Sequence, residues 1–406
     1  MRAEAQQIAG IVIFLLTYAV VAVGRLPGFR LDRPAAAFFG AAAMVGFGVL
    51  SPAQAYHAID MDTIALLLGM MIVVASLTRS GAFRLIVAWA VTRARHPLLL
   101  LVAIVLASGV LSAFMVNDTI CLVMTPLVLD LVERLRRPPV PYLLAIAMAA
   151  NIGSVTTITG NPQNMIIGSL SHISYGRFAA ALAPVAAVGL VLVVVLIAIV
   201  WKGEFFSTVR IVAETPRTHA SGPLVRLSAF VMLAMVAGFF AGASPAAVAI
   251  VGGAVLLVIS RTKPEKFYAG IDGVLLLMFA SLFIVVAGVE HAVLTPGLID
   301  AVAGLHLERT WLLTIVTAVL SNIVSNVPAV LVLHPFISRL NDSAHAWLIV
   351  AMASTLAGNL TLLGSVANLI VAQQARARGV HISLWAYALV GVPLTLLTLA
   401  VGIVLL

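Results

Sequence analysis

Leu111-Ser-Ala-Phe-Met-Val-Asn-Asp-Thr-Ile-Cys-Leu-Val-Met-Thr-Pro-Leu-Val-Leu129 is an apolar run interrupted by Asn117-Asp118-Thr119. Asp118 is the sole acid between Asp62 and Asp130. A carboxylate at membrane depth is costly unless it is solvated, paired or protonated, so a functional role is the first expectation. A second copy of the pattern follows in Ser321-Asn-Ile-Val-Ser-Asn-Val-Pro-Ala-Val-Leu-Val-Leu-His-Pro-Phe-Ile-Ser-Arg-Leu340. A shift of 209 positions carries Ser112 onto Ser321, Asn117 onto Asn326 and Pro126 onto Pro335. Further on, Thr159-Gly160-Asn161-Pro162-Gln163-Asn164 faces Leu363-Gly364-Ser365-Val366-Ala367-Asn368. Met61-Asp62 and Ile271-Asp272 each lead into an apolar run. A duplicated membrane unit with two polar interruptions per copy points to the binding site of a secondary transporter.

Composition sets the class. The chain has 406 residues, of which 62% are hydrophobic and 9% charged. Too little polar surface remains to cover a water-soluble fold, so a polytopic helical membrane protein is expected. Many apolar runs reach the length of roughly 17–25 residues that the hydrocarbon core demands. Alternating strand patterns are absent, which argues against an outer-membrane barrel. The net charge of +8 sits on Lys and Arg in short loops, where it sets topology and does not suggest nucleic acid. Cys121 is the single cysteine, so an intrachain disulfide and a cysteine metal cluster are excluded. No cleavable signal and no phosphate-binding Gly-rich motif is evident, so the energy source is expected to be an ion gradient and no cofactor is expected.

The loop charges predict a topology. Spans are expected at Ile8–Val23, Pro34–Leu50, Asp62–Leu77 and Phe178–Trp201 in the first half, with the basic loop Arg25–Arg33 in the cytoplasm and Ser51–Asp60 outside. Arg79–Arg95 reads as an amphipathic helix in the cytoplasmic interface. Basic flanks on both sides of residues 98–131 suggest a re-entrant hairpin with Asn117-Asp118-Thr119 at its tip; two complete spans are the alternative. Residues 142–170 are too polar in the middle for an ordinary helix, and Pro162 disfavours helix at Asn161. A helix broken there would direct carbonyls of one half and N–H groups of the other at one point.

The second half repeats the scheme with opposite sign. Spans are expected at Leu227–Ala241, Ser244–Ile259, Asp272–Val289 and Trp385–Leu406, with a hairpin at 311–340 and a broken helix at 345–372. The acidic connection Glu290–Arg309 suits the outside. The expected domains are therefore a first repeat at 1–201, a cytoplasmic linker at 202–226 and a second repeat at 227–406. Each repeat holds five spans, one of them the broken helix, and one hairpin. An odd number of spans inverts the second copy, and both termini fall outside a bacterial inner membrane.

At these motifs the sequence resembles the ion transporter superfamily, which holds arsenite permeases, divalent anion/sodium symporters, citrate transporters and NhaD-type antiporters. Asn117-Asp118-Thr119 with Thr125-Pro126, and Asn151-Ile-Gly-Ser through Gly160-Asn-Pro-Gln-Asn164, look most like the arsenite permease and related anion permease branch. Dicarboxylate symporters typically carry Ser-Asn-Thr at both tips, whereas these tips read Asn117-Asp118-Thr119 and Ser325-Asn326-Val327. NhaD-type antiporters tend to carry an acid where Asn161 stands. The resemblance implies an outer scaffold, two moving units that contain the hairpins, and an elevator-like shift of those units. It leaves a soluble ATPase partner and a homodimer open.

The predicted midplane holds amides, hydroxyls and one acid, with no Lys or Arg to neutralise a multiply charged anion. A small polyol-like molecule such as arsenous acid needs only hydrogen bonds, which Asn and Thr supply. The leading expectation is export of arsenite or antimonite in exchange for protons. Asn117, Thr119, Thr159, Gly160, Asn161, Asn164, Ser325, Asn326, Thr361, Gly364, Ser365 and Asn368 are the expected substrate-binding set. Asp118 would carry the coupling proton, with His334 as a second candidate. The alternatives are a sodium- or proton-coupled importer of a small organic or inorganic anion, and a sodium/proton antiporter. An intramembrane hydrolase is disfavoured, because Ser112 and Ser321 have no evident His or Asp partner at motif spacing.

Overall fold

A computed structural model of the chain describes residues 2–23, 32–93, 95–207, 220–260, 262–293 and 306–406. Among these the protein is helical throughout. Most of the basic loop 25–33, the interior of the linker and residues 294–305 of the acidic connection lie outside the described residues.

Among the described residues seven helices are long and apolar enough to cross a membrane, at Gln6–Val23, Met61–Ser80, Pro97–Phe114, Tyr175–Val200, Gly222–Phe240, Gly273–Ala292 and Leu384–Leu405. The span expected at Pro34–Leu50 is shorter than predicted, a helix Arg33–Gly46 of 14 residues, whereas Pro245–Ile259, with 15 residues and Ser244 as its cap, keeps its expected bounds. The first ends early because the chain turns at Gly48, whose φ is +71°. It then starts the short helix Pro52–Ala58, where Ser51 and Gln54 form a reciprocal cap. The expected interfacial segment is the helix Ala82–Arg93, set off from Met61–Ser80 by the left-handed Gly81.

Two helix–turn–helix pairs stand where the hairpins are expected. Pro97–Phe114 and Asn117–Arg134 are the arms of the first, joined through Met115 and Val116. Thr310–Val324 and Asn326–Ile337 are the arms of the second, joined through Ser325 alone. At 1.5 Å per residue the 12-residue return arm of the second pair spans about 18 Å, and each 18-residue arm of the first spans about 27 Å. Both expected breaks form too. Pro139–Ser154 gives way to a short 3-10 turn and then to Pro162–Ser171. Ser343–Leu356 does the same before Val366–Ala377.

The helices corresponding between the halves make corresponding contacts. Met61–Ser80 packs on Pro245–Ile259, and Gly273–Val293 packs on Arg33–Gly46. Pro97–Phe114 lies against Pro139–Ser154, and Thr310–Val324 against Ser343–Leu356. Asn117–Arg134 packs on Val366–Ala377, and Asn326–Ile337 packs on Pro162–Ser171. Tyr175–Val200 meets its own counterpart, Leu384–Leu405. Apart from the two pairings of a hairpin's leading arm with the broken helix of its own half, these contacts join one half of the chain to the other.

Residues 142–155 and 346–359 are buried without interruption. These two helices form the middle of the bundle, shielded on all sides by others. That is why a broken backbone is tolerated at their ends, since protein rather than lipid surrounds it. The packing is close enough to dictate residue size. A methyl group on Gly153 would run into the backbone of Gly109 on the leading arm of the first hairpin, so the two helices cross where neither carries a side chain.

Candidate functional site

The first helical turns of four segments converge on one cavity of about 210 Å³. Asn117 and Asp118 come from the first hairpin, and Ser325, Asn326, Val327 and Pro328 from the second. Pro162 and Gln163 come from the first broken helix, and Ser365 and Val366 from the second. Each segment starts a helix there, so unpaired backbone N–H groups and the positive ends of four helix dipoles surround the space. The starts are fixed locally. Asn161 Oδ1 accepts from Asn164 N at 2.9 Å, with Pro162 in the first helical position. Ser365 Oγ accepts from Ala367 N at 3.2 Å. Ser325 has φ +79° and ψ 160°, a strained conformation for a residue with a side chain. Val116, its counterpart at the first tip, is unstrained at φ −56°.

Arg33 also lines this cavity, which corrects the expectation that the centre holds no cation. The sequence reading placed Arg33 in a cytoplasmic loop. It is instead the first residue of a helix capped by Asp32, whose Oδ1 accepts from Ala35 N at 3.0 Å. Arg33 forms no ion pair among the described residues. Asp118 is half-buried and likewise takes no hydrogen bond or ion pair among the described residues. Among the residues lining the cavity these are the two that carry charge, one of each sign.

Behind the cavity a network of amides joins the halves. Asn151 is its centre. Its Nδ2 donates to Asn359 Oδ1 at 2.9 Å and to Asn368 Oδ1 at 3.0 Å. Its Oδ1 accepts from Asn117 Nδ2 at 3.0 Å and from Ser365 Oγ at 3.1 Å. On the other side Thr355 Oγ1 accepts from Asn161 Nδ2 at 3.2 Å and from Gln163 Nε2 at 3.0 Å. A shift of 204 positions maps Asn151 onto Thr355 and Asn161 onto Ser365. The Asn151–Ser365 and Thr355–Asn161 bonds are therefore one contact made twice.

Of the residues expected to bind substrate, the structure brings Asn117, Ser325, Asn326 and Ser365 to the cavity, together with Asp118. The others lie elsewhere. Asn164 Nδ2 donates to the carbonyls of Ser154 and Thr157 at 3.0 and 2.9 Å. Asn368 Nδ2 donates to those of Gly358 and Thr361 at 2.7 and 3.2 Å. These asparagines take up the carbonyls that the helix breaks leave without partners. Asn161 braces the same turn through Ser154 Oγ at 2.9 Å. Thr159 bonds Tyr175 at 2.8 Å, away from the cavity. Gly160 and Gly364 are buried in the turns, and Thr361 is exposed. Thr119 faces a different cavity. His334 is not at the centre. Its Nδ1 lies 3.2 Å from Glu290 Oε1 and its ring stacks on Trp347.

Sequence reasoning missed Arg33 as a lining residue, and it did not single out Thr355 or Asn359. Both fall within the expected broken helix 345–372, Asn359 in the 3-10 turn at the break and Thr355 in a regular helix, and only the structure shows that Thr355 faces Asn161 across the bundle.

Comparison with known proteins gives a consistent picture. A family model described as "Citrate transporter" matches residues 12–357. The chain is 29% identical to the 46 kDa membrane protein of Mycobacterium leprae over 421 residues, which cover 97% of each protein. It is 28% identical to the silicon efflux transporter LSI3 of Oryza sativa subsp. japonica, over 98% of this chain and 96% of that one. Among solved structures, the YdaH transporter of Alcanivorax borkumensis is similar with a TM-score of 0.60 over 99% of this chain and 97% of that one. At 15% identity that likeness is one of fold.

Proposed function

The chain belongs to the citrate transporter family, and from that premise we propose that it exports a small, uncharged, hydroxylated oxyacid of the arsenite and antimonite class in exchange for protons. It is an integral membrane transporter, not an enzyme. The observation that carries the cargo reading is the balance of the central cavity. Arg33 and Asp118 cancel, and the remaining polar lining consists of amides, hydroxyls and helix N-termini. An uncharged guest with several hydroxyl groups is held there by hydrogen bonds alone, with Asn117, Gln163, Ser325, Asn326 and Ser365 in reach. A multiply charged anion would bring uncompensated charge into a poorly hydrated space. The rice relative is named for silicon efflux. Dissolved silicon is, like arsenous acid, an uncharged polyhydroxyl acid near neutral pH.

Asp118 is the coupling group in this reading. It carries a proton on the journey without cargo and gives it up when cargo is loaded, so that each turnover exchanges one for the other. The hairpin tips and the second halves of the broken helices travel together as inverted units, in an elevator-like motion past the outer helices. The setting is a bacterial inner membrane.

A second reading, import of a small organic anion, is favoured by Arg33 and by four helix starts facing one point. Reconstitution separates the two. Vesicles with imposed pH or sodium gradients are offered arsenite, antimonite, citrate, succinate and sulfate. The first reading requires arsenite or antimonite movement that dissipates a pH gradient and ignores sodium. Uptake of citrate or succinate without any arsenite flux would replace it with the second.

A further inference from the structure

Asp118 is a shared wall. Besides the central cavity it lines a second one, of about 370 Å³, bounded by Met61–Ser80, the first hairpin, the turn before Gly273–Val293 and Val366–Ala377. The charged groups that face this second space are Arg79, Lys266, Asp118 and Asp272. Arg79 Nη1 donates to the Lys266 carbonyl at 3.2 Å, which ties the two cations together at the cavity's edge. Asp272 lines the second cavity and not the first. It is exposed, and its Oδ1 accepts from Leu275 N at 2.9 Å, holding it at the start of its helix.

From this arrangement we propose that Asp272 and the second cavity form a proton route to Asp118 that is separate from the path of the cargo. The inference rests on the proton-exchange reading given above. In the transfer, the O–H bond of protonated Asp118 breaks as a water molecule in the cavity takes the proton. That water passes a proton to the Asp272 carboxylate, which releases it to bulk water. Loading, on the opposite side of the membrane, is a transfer from water to the Asp118 carboxylate, and no other reactant is consumed. Separate paths answer a geometric difficulty. When cargo fills the central cavity it covers the Asp118 carboxyl on that side, and a proton that must leave as cargo arrives needs another exit.

The test uses the full-length protein in liposomes with a pH-sensitive dye inside. Two rates are measured, namely proton movement driven by an arsenite gradient and exchange of labelled for unlabelled arsenite at equal concentration and pH on both sides. The second rate needs no net proton transfer. Asp272→Asn keeps the helix cap, because asparagine serves that position as well as aspartate. It is expected to slow arsenite-driven proton movement by at least about tenfold and to leave self-exchange within about twofold of wild type. Asp272→Glu should restore the proton rate. Wild-type proton movement in Asp272→Asn overturns the inference and leaves the exchange reading intact. Equal loss of both rates also overturns it, because Asp272 then supports the fold and not the proton. Absence of arsenite-driven proton movement in the wild type removes the exchange reading itself, and this inference with it.

Discussion

The side-chain amide of Asn151 donates to the side-chain Oδ1 of Asn359 at 2.9 Å, a bond between residues 208 positions apart. It joins the two broken helices at the point where each stops being regular. Asn151 also serves Asn117, Ser365 and Asn368, so one side chain links a hairpin tip with the break of the opposite half. Removing it strands several buried polar groups at once, each costing about 1–3 kcal/mol when left without a partner. Asn151→Ala should therefore lower stability by about 3 kcal/mol, read as a clear drop in the thermal unfolding midpoint in detergent. An unchanged midpoint would mean that water replaces the network at little cost.

Arg33 distinguishes cargo classes. A hydrogen bond to a charged group is worth about 1.5–3 kcal/mol, or roughly tenfold or more in affinity. Arg33→Gln should raise KM for an anionic substrate by that factor and change KM for arsenite by less than about threefold. Steady-state uptake with both substrates reads the difference directly. A tenfold loss for arsenite would place the guanidinium in contact with it.

Asp118→Asn keeps the shape of the hairpin tip and removes the titrating group. Arsenite self-exchange should survive, while exchange against protons and its dependence on external pH should disappear. Export with an unaltered pH profile would assign coupling to another residue.

Backbone crossings give a test of packing alone. Gly153→Ala pushes a methyl group into the Gly109 backbone and should cost about 3 kcal/mol, the upper part of the usual range for overpacking. Gly203→Ala meets nothing within 4 Å and serves as a control. Comparable melting temperatures for the two variants would show that the two helices can separate freely.

Ser325 offers the opposite sign. Its backbone lies where glycine alone is comfortable, at a cost of about 1–3 kcal/mol for other residues. Ser325→Gly should raise the unfolding midpoint, and Ser325→Val should lower it. Stabilisation accompanied by slower transport would indicate that the strain at this tip helps the hairpin move.

Much of this architecture is written in local patterns. The polar tips at Asn117 and Asn326 stand out because their surroundings are apolar, and the breaks stand out because Pro162 and Gly364 sit among amides and hydroxyls. What local pattern cannot express is the use to which a polar group is put. Asn164 and Asn368 look like cargo ligands in a sequence, yet a broken helix creates unpartnered carbonyls of its own, and these asparagines serve them. Arg33 looks like any other loop cation, and only the neighbourhood of its helix start reveals the cavity. His334 sits on the right element, but on a part of it that faces Glu290.

The return arm of the first hairpin rests on Val366–Ala377, with Gln374 Nε2 donating to the Leu122 carbonyl across 252 positions. During synthesis the ribosome must therefore deliver nearly the whole polypeptide before that arm meets its partner. Insertion of the early helices and closure of the centre are separate stages in the life of a nascent molecule, and the interval between them leaves amides facing oil. A polypeptide truncated at residue 360 would be expected to insert and then be degraded. Supplying the missing piece as a second polypeptide should rescue it, because the contact it makes needs no covalent link to the rest.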